Sequence, residues 1–174
     1  MQVSLIVLIM FVTVLLAPDI TFSQQASDDS VLIGPWRVEV VLKGRKFDSC
    51  SMSRKSGDIK TTVLRASDGL ALVLDSPKWK LERGKQYPVE LVAGSRRWPT
   101  RASAERDSAI IALTDVPLNE MLRTADVLEI RAEGSTISVS LDRSAAALDR
   151  IEACYEKNSR SPETNPFVAP GLRP

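Results

Sequence analysis

Residues 59–75 read IKTTVLRASDGLALVLD, two apolar runs on either side of Ser67-Asp68-Gly69. Asp-Gly between strand-like runs is a strong short-range signal for a β-hairpin, because both residues tolerate the positive backbone angles of tight turns. The fold is therefore expected to grow by antiparallel pairing. On the N-terminal side, Trp36 to Leu42 (WRVEVVL) alternates apolar and polar residues and stops at Gly44. In Phe47 to Arg54 (FDSCSMSR), alternation places Phe47, Ser49, Ser51 and Ser53 on one face and Asp48, Cys50, Met52 and Arg54 on the other. Cys50 and Met52 thus share a face that can turn inward.

On the C-terminal side, Pro77 to Leu91 reads as a turn, a short extended piece around Trp79-Lys80-Leu81, a turn at Gly84 and a strand in which Pro88 suits an edge or a start. Arg96 to Ala104 and Ser108 to Leu113 are further strands, and Val127 to Ala132 with Thr136 to Leu141 flank Glu133-Gly134-Ser135 as a second hairpin. Between them the period changes. Leu118, Met121, Leu122 and Ala125 recur at helical spacing behind Pro117, which predicts a short helix. From Ser144 to Glu156 the stripe Ala147, Leu148, Ile151, Cys154 and Tyr155 predicts a second helix with Cys154 on its buried face. The expected architecture is mainly β: a β-sandwich or partly open barrel of about 8 antiparallel strands, with a short helix and a C-terminal helix packed on the sheet.

The ends of the chain differ from this middle. Val3 to Ala17 (VSLIVLIMFVTVLLA) carries no charge and is shorter than the roughly 20 residues of a membrane span, which suits a secretory leader. Thr21 and Ser23 put small residues where signal peptidase cuts, so cleavage is expected before Gln24. No Lys or Arg precedes the apolar run, and an uncleaved anchor is the competing reading. The expected organisation is a signal peptide at 1–23, a flexible leader at 24–34, one β-rich domain at 35–157 and a disordered tail at 158–174 holding four of the 10 prolines. The expected compartment is the periplasm or the exterior.

Such a compartment is oxidising, and Cys50 and Cys154 are the only cysteines, 104 positions apart. An even count in an exported chain favours a disulfide, and both periodicities turn these residues inward. The bond would clamp the last helix to the sheet.

Composition excludes more chemistry than it suggests. The 174 residues contain no histidine, which removes Ser-His-Asp and Cys-His machinery and makes ordinary zinc catalysis a poor fit. Twenty-three basic against 22 acidic residues leave a formal charge of +1, unlike a dedicated nucleic-acid binder. No phosphate-binding glycine loop, CxxC or HExxH motif occurs, so no cofactor, metal site or catalytic residue is assigned. Basic residues gather at Lys78, Lys80, Arg83 and Lys85 and at Arg96, Arg97 and Arg101, with Trp79 and Trp98 among them. They are a candidate surface for an anionic partner, either an envelope protein or an anionic polymer. The alternative is ordinary solvated strand and loop charge. For a hydrolase without histidine, Asp58, Asp68, Asp75, Glu82 and Glu90 could supply carboxylates, or a serine could pair with a lysine, but no spacing selects a pair. The function expected is that of an exported, non-catalytic binding or envelope accessory protein, with no nucleic-acid partner and no stable membrane insertion after cleavage; the alternative is such a hydrolase.

With Trp36, Cys50, Trp79-Lys80-Leu81, Gly84, Tyr87-Pro88-Val89, Ser140-Leu141 and Ser144 through Cys154 in place, the chain resembles a group of small exported alphaproteobacterial domains of unknown function. A more distant resemblance is to the invasion-associated locus B proteins, which are exported and cysteine-linked and usually carry more cysteines than this chain. These resemblances imply a fold and an address rather than a chemistry.

Overall fold

The computed structural model describes residues 30–160. The expected signal peptide at 1–23, the first part of the expected 24–34 leader and residues 161–174 of the expected tail lie outside the described residues. Ten strands form one antiparallel sheet: β1 (Val31–Ile33), β2 (Trp36–Lys43), β3 (Lys46–Ser56), β4 (Ile59–Ala66), β5 (Gly69–Asp75), β6 (Gln86–Ala93), β7 (Arg96–Glu105), β8 (Ser108–Leu113), β9 (Val127–Ala132) and β10 (Ser135–Ser140). Two helices complete the fold, α1 (Val116–Thr124) and α2 (Ser144–Ser159). The fold is mostly this antiparallel sheet, which is not closed, with the helices packed on it, so the partly open arrangement is the one found.

Spatial order is β1-β2-β3-β4-β5-β8-β7-β6-β9-β10. The hairpin at Ser67 to Gly69 forms as expected, with Ala66 opposite Gly69 and Gly69 at a φ of 119°. The meander β6-β7-β8 is then laid down in reverse order beside β5. Because every pair is antiparallel, the β5–β6 connection must cross one end of this block and the β8–β9 connection, which contains α1, the other. One end is thus capped by a loop and the opposite end by a helix.

Alternation along each strand turns Trp36, Val38, Cys50, Met52, Val63, Leu72, Ile111, Leu91 and Ile130 inward, and all are at most 3% exposed. Helix α2 adds Ala147, Leu148 and Ile151 to this core and lies over β2, β3 and β4. Its start is tied to α1 by the Ser144 hydroxyl, which donates to the Leu122 carbonyl over 2.6 Å.

Three local departures from the sequence pattern have physical causes. A register shift between Val41 and Leu42 pairs Val41 with Ser49 but Leu42 with Phe47, leaving Asp48 as the extra residue of a bulge. That shift moves Phe47 off the serine face, and its ring meets Tyr155 of α2 at 5.8 Å. The sheet also begins before Trp36: Val31–Ile33 folds back on Trp36–Val38 through Gly34, whose φ of 57° a tight reversal requires. Three residues are too few to show a period. Finally, α2 continues through Ser159 rather than ending near Glu156, because the Asn158 amide donates to the Cys154 carbonyl over 2.8 Å and extends the last turn.

Candidate functional site

Cys50 and Cys154 are joined, with their Cα atoms 6.2 Å apart. The bond lies beside Arg65, which faces Cys50 across β3 and β4, reaches Glu152 at 2.9 Å and sits 4.3 Å from the Tyr155 ring. This end of the molecule is a packed structural junction.

The opposite end is hollow. A cavity of about 370 Å³ opens where the β5–β6 connection and the β9–β10 turn face each other. Its walls come from strands that are distant in sequence: Leu74 of β5, Ala109 and Ile111 of β8, Ala102 of β7, Val89 of β6, Ile130 of β9 and Ile137 of β10. Inward positions such as Met52, Leu72 and Leu91 carry bulky side chains, whereas Ala102, Ala109 and Ala132 leave space here that no helix fills. The size lies within the range of about 300–1,000 Å³ common for small-molecule sites.

The mouth has two lips. Trp79, Leu81 and Tyr87 form one, and this segment is pinned down by backbone bonds from Leu81 to the Arg106 carbonyl and from Gly84 to the Ala104 carbonyl, both 2.7 Å. Glu133 and Ser135 of the β9–β10 turn form the other, and Glu133 is the only charged side chain in the lining. Lys85 stands at the first lip with its ammonium 5.4 Å from the Tyr87 ring centroid and 3.2 Å from Glu82. The hydrogen bond to Glu82 holds the Lys85 pKa above its usual value, with the Glu82 charge adding to the effect. Lys85 therefore remains a cation at physiological pH.

The basic residues singled out from the sequence fall into two groups rather than one patch. Lys78, Lys80, Arg83 and Lys85 belong to the β5–β6 connection beside the mouth, whereas Arg96 and Arg97 begin β7 at its other end. Arg101 lies five positions along that strand from Arg96, about 17 Å at strand rise. Four of the seven face a carboxylate: Lys78 with Asp58, Arg83 with Glu105 at 2.7 Å, Lys85 with Glu82, and Arg97 with Glu90 at 3.1 Å. Lys80, Arg96 and Arg101 make no ion pair among the described residues. Trp98 packs against the core opposite Leu91, and Trp79 lines the cavity, so neither tryptophan forms part of a flat basic surface.

The candidate carboxylates are likewise dispersed. Asp58, Glu82 and Glu90 are engaged in the ion pairs above, and none of the five lines the cavity. Burial pushes the Asp75 carboxyl up, Asp107 adds to the rise and Lys60 opposes it. No group of three His, Cys, Asp or Glu side chains among the described residues could hold a metal ion. None of the described helices is long and apolar enough to cross a membrane.

Sequence reasoning missed the cavity. Each lining residue reads as an ordinary inward strand position, and only the reversed order of β6, β7 and β8 brings the three alanines together. The one available signal was the alanine at inward positions of three separate strands.

No protein-family model matches the chain, and no curated protein sequence matches it. Among solved structures, the fold is similar to the crystal structure of invasion associated protein B from Bartonella henselae. The two are 19% identical with a TM-score of 0.55, over 74% of this chain and 97% of that chain. The distant resemblance is one of fold, carried by architecture at low sequence identity.

Proposed function

We propose that the protein is an exported, non-catalytic binding module, an accessory protein of the cell envelope that holds a small apolar molecule in the cavity between β5–β8 and β9–β10. The observation that carries this reading is the lining: aliphatic and aromatic side chains from six strands, with polar groups confined to the mouth. Apolar walls with a few polar groups at one end bind by removing apolar surface from water and use the polar groups for orientation. Hydrolysis by a carboxylate pair has less support, since Glu133 has no second carboxylate in the lining. The disulfide fits an oxidising compartment, and so supports export.

Titration with the neutral dye N-phenyl-1-naphthylamine tests the proposal. Saturable fluorescence enhancement is expected, and Ala109→Leu, which fills the cavity from β8, should abolish it. Enhancement that survives Ala109→Leu unchanged would place the dye elsewhere and refute the cavity as the site.

A further inference from the structure

The mouth of the cavity carries charges of both signs. Glu133 on the β9–β10 turn lines the opening and makes no ion pair among the described residues. Just before β6, the strand that pairs with β9 and so lies beside this turn, Lys85 holds its ammonium over the ring of Tyr87, which itself lines the cavity. Lys80 projects into solvent between the two lining residues Trp79 and Leu81 and is also without an ion pair among the described residues. Lys85 and Glu82 are both exposed, so their contact is one that a ligand can replace at little cost.

A ligand filling the interior with hydrocarbon must leave its polar end at this mouth. An anionic head would meet Lys80 and Lys85 but also confront Glu133. A cationic head would meet Glu133 and the aromatic faces of Trp79 and Tyr87, yet confront Lys85. Only a head bearing both charges satisfies the two lips together. Trp79 and Tyr87 suit the boundary, since each combines a large apolar body with a polar tip. We infer that the cavity takes a single-chain amphiphile with a zwitterionic head, its cation at Glu133 and its anion at Lys80 and Lys85. This inference rests on the cavity being a binding site at all, and the test separates the two.

Four probes with the same tail are compared below their micelle concentrations by displacement of N-phenyl-1-naphthylamine: dodecylphosphocholine, dodecanoate, dodecyltrimethylammonium and dodecanol. Dodecylphosphocholine should bind about five-fold tighter than either singly charged probe, the upper range for one solvent-exposed ion pair. Glu133→Gln should remove its advantage over dodecanoate, and Lys80→Gln with Lys85→Gln its advantage over dodecyltrimethylammonium. Ala109→Leu should weaken all four, and Ala132→Leu, at the exposed edge of the cavity, does the same if the first variant folds poorly. Four probes binding within two-fold of one another would overturn the zwitterionic head and leave the cavity standing, as would dodecanoate binding tightest. Displacement by none of them, in protein that binds no dye, would overturn both.

Discussion

The indole N–H of Trp36 donates to the backbone carbonyl of Asp142 over 2.8 Å, tying the first residue of β2 to the link between β10 and α2, 106 positions later. Trp36 is fully buried, and the Arg54 guanidinium stands 5.3 Å from its ring while donating to the Ser140 carbonyl. The open sheet is thus fastened where its two halves meet. Trp36→Phe keeps most of the apolar bulk but leaves the Asp142 carbonyl without its donor and opens a small void. The expected loss is about 2–3 kcal/mol, of which the unsatisfied carbonyl contributes about 1–3. Urea unfolding with an unchanged slope would report it cleanly. A loss below about 0.5 kcal/mol, the scale of a neutral surface change, would show that the seam is held elsewhere.

Replacing Cys50 and Cys154 by serine should cost about 2–5 kcal/mol, the usual range for native bridges in small secreted domains. The loss should be uneven along α2. Its first half is held independently of the bridge: Ser144 bonds to Leu122, Ala147, Leu148 and Ile151 are at most 2% exposed, Arg123 pairs with Asp149 and Arg65 with Glu152. Beyond Cys154, among the described residues, the ring contact of Tyr155 with Phe47 and Arg65 and the Asn158 side-chain bond remain. Hydrogen exchange in the serine variant should therefore accelerate from Cys154 to Ser159 while Leu148 and Ile151 stay protected. Equal protection throughout would deny the bridge its clamping role.

The disulfide was legible because two different periodicities each marked a cysteine as inward, and local pattern survives into the fold wherever neighbours in sequence are neighbours in space. The hairpin at Asp68-Gly69 and the stripe Ala147, Leu148, Ile151 are of this kind. Phe47 was misplaced because a bulge shifts the alternation by one residue without any residue type that announces it. The cavity was invisible for a topological reason: β5 pairs with β8 and β6 with β9, so Leu74, Ala109 and Ile130 become neighbours only after the meander reverses. The ion pairs Arg83–Glu105 and Lys78–Asp58 form just beyond the ends of the β6–β7 and β4–β5 ladders, and they are what divides an apparent basic cluster into paired and unpaired charges.

Asp75 and Asp58 should respond to pH with opposite signs. Burial raises the Asp75 pKa, with Asp107 adding and Lys60 opposing, so the folded state holds this proton more readily than the unfolded chain. Its contribution is most favourable in acid and is lost as pH rises from the ordinary carboxylate value of about 3.9 through the raised folded value. The Asp58 pKa is lowered, first by its hydrogen bond from Lys78 and then by that charge, so its contribution is present above the ordinary value and lost as pH falls through the lowered one. Asp75→Asn is expected to be more stable than the parent at pH 7, with the difference vanishing at low pH. Asp58→Asn should be slightly less stable at pH 7. Thermal melts across this window check both, and a stabilising Asp58→Asn would show that the exposed pair with Lys78 contributes nothing.

The basic surface offers a sharper test once its ion pairs are known. Lys80 and Arg101 make no ion pair among the described residues, whereas Arg83 and Arg97 already face Glu105 and Glu90. A polymer held by the surface must draw on charge that no neighbouring carboxylate offsets, and exposed charges act over only about 8 Å at physiological ionic strength. Lys80→Gln with Arg101→Gln should therefore lower the salt needed to elute the protein from an anionic matrix more than Arg83→Gln with Arg97→Gln, although each pair removes the same net charge. The second double variant should do less because the Arg83 and Arg97 guanidinium groups are already engaged by Glu105 and Glu90 and offer the matrix little direct contact. Equal shifts would mean that retention follows net charge alone, and the seven residues would then be solvated strand and loop positions with no partner of their own.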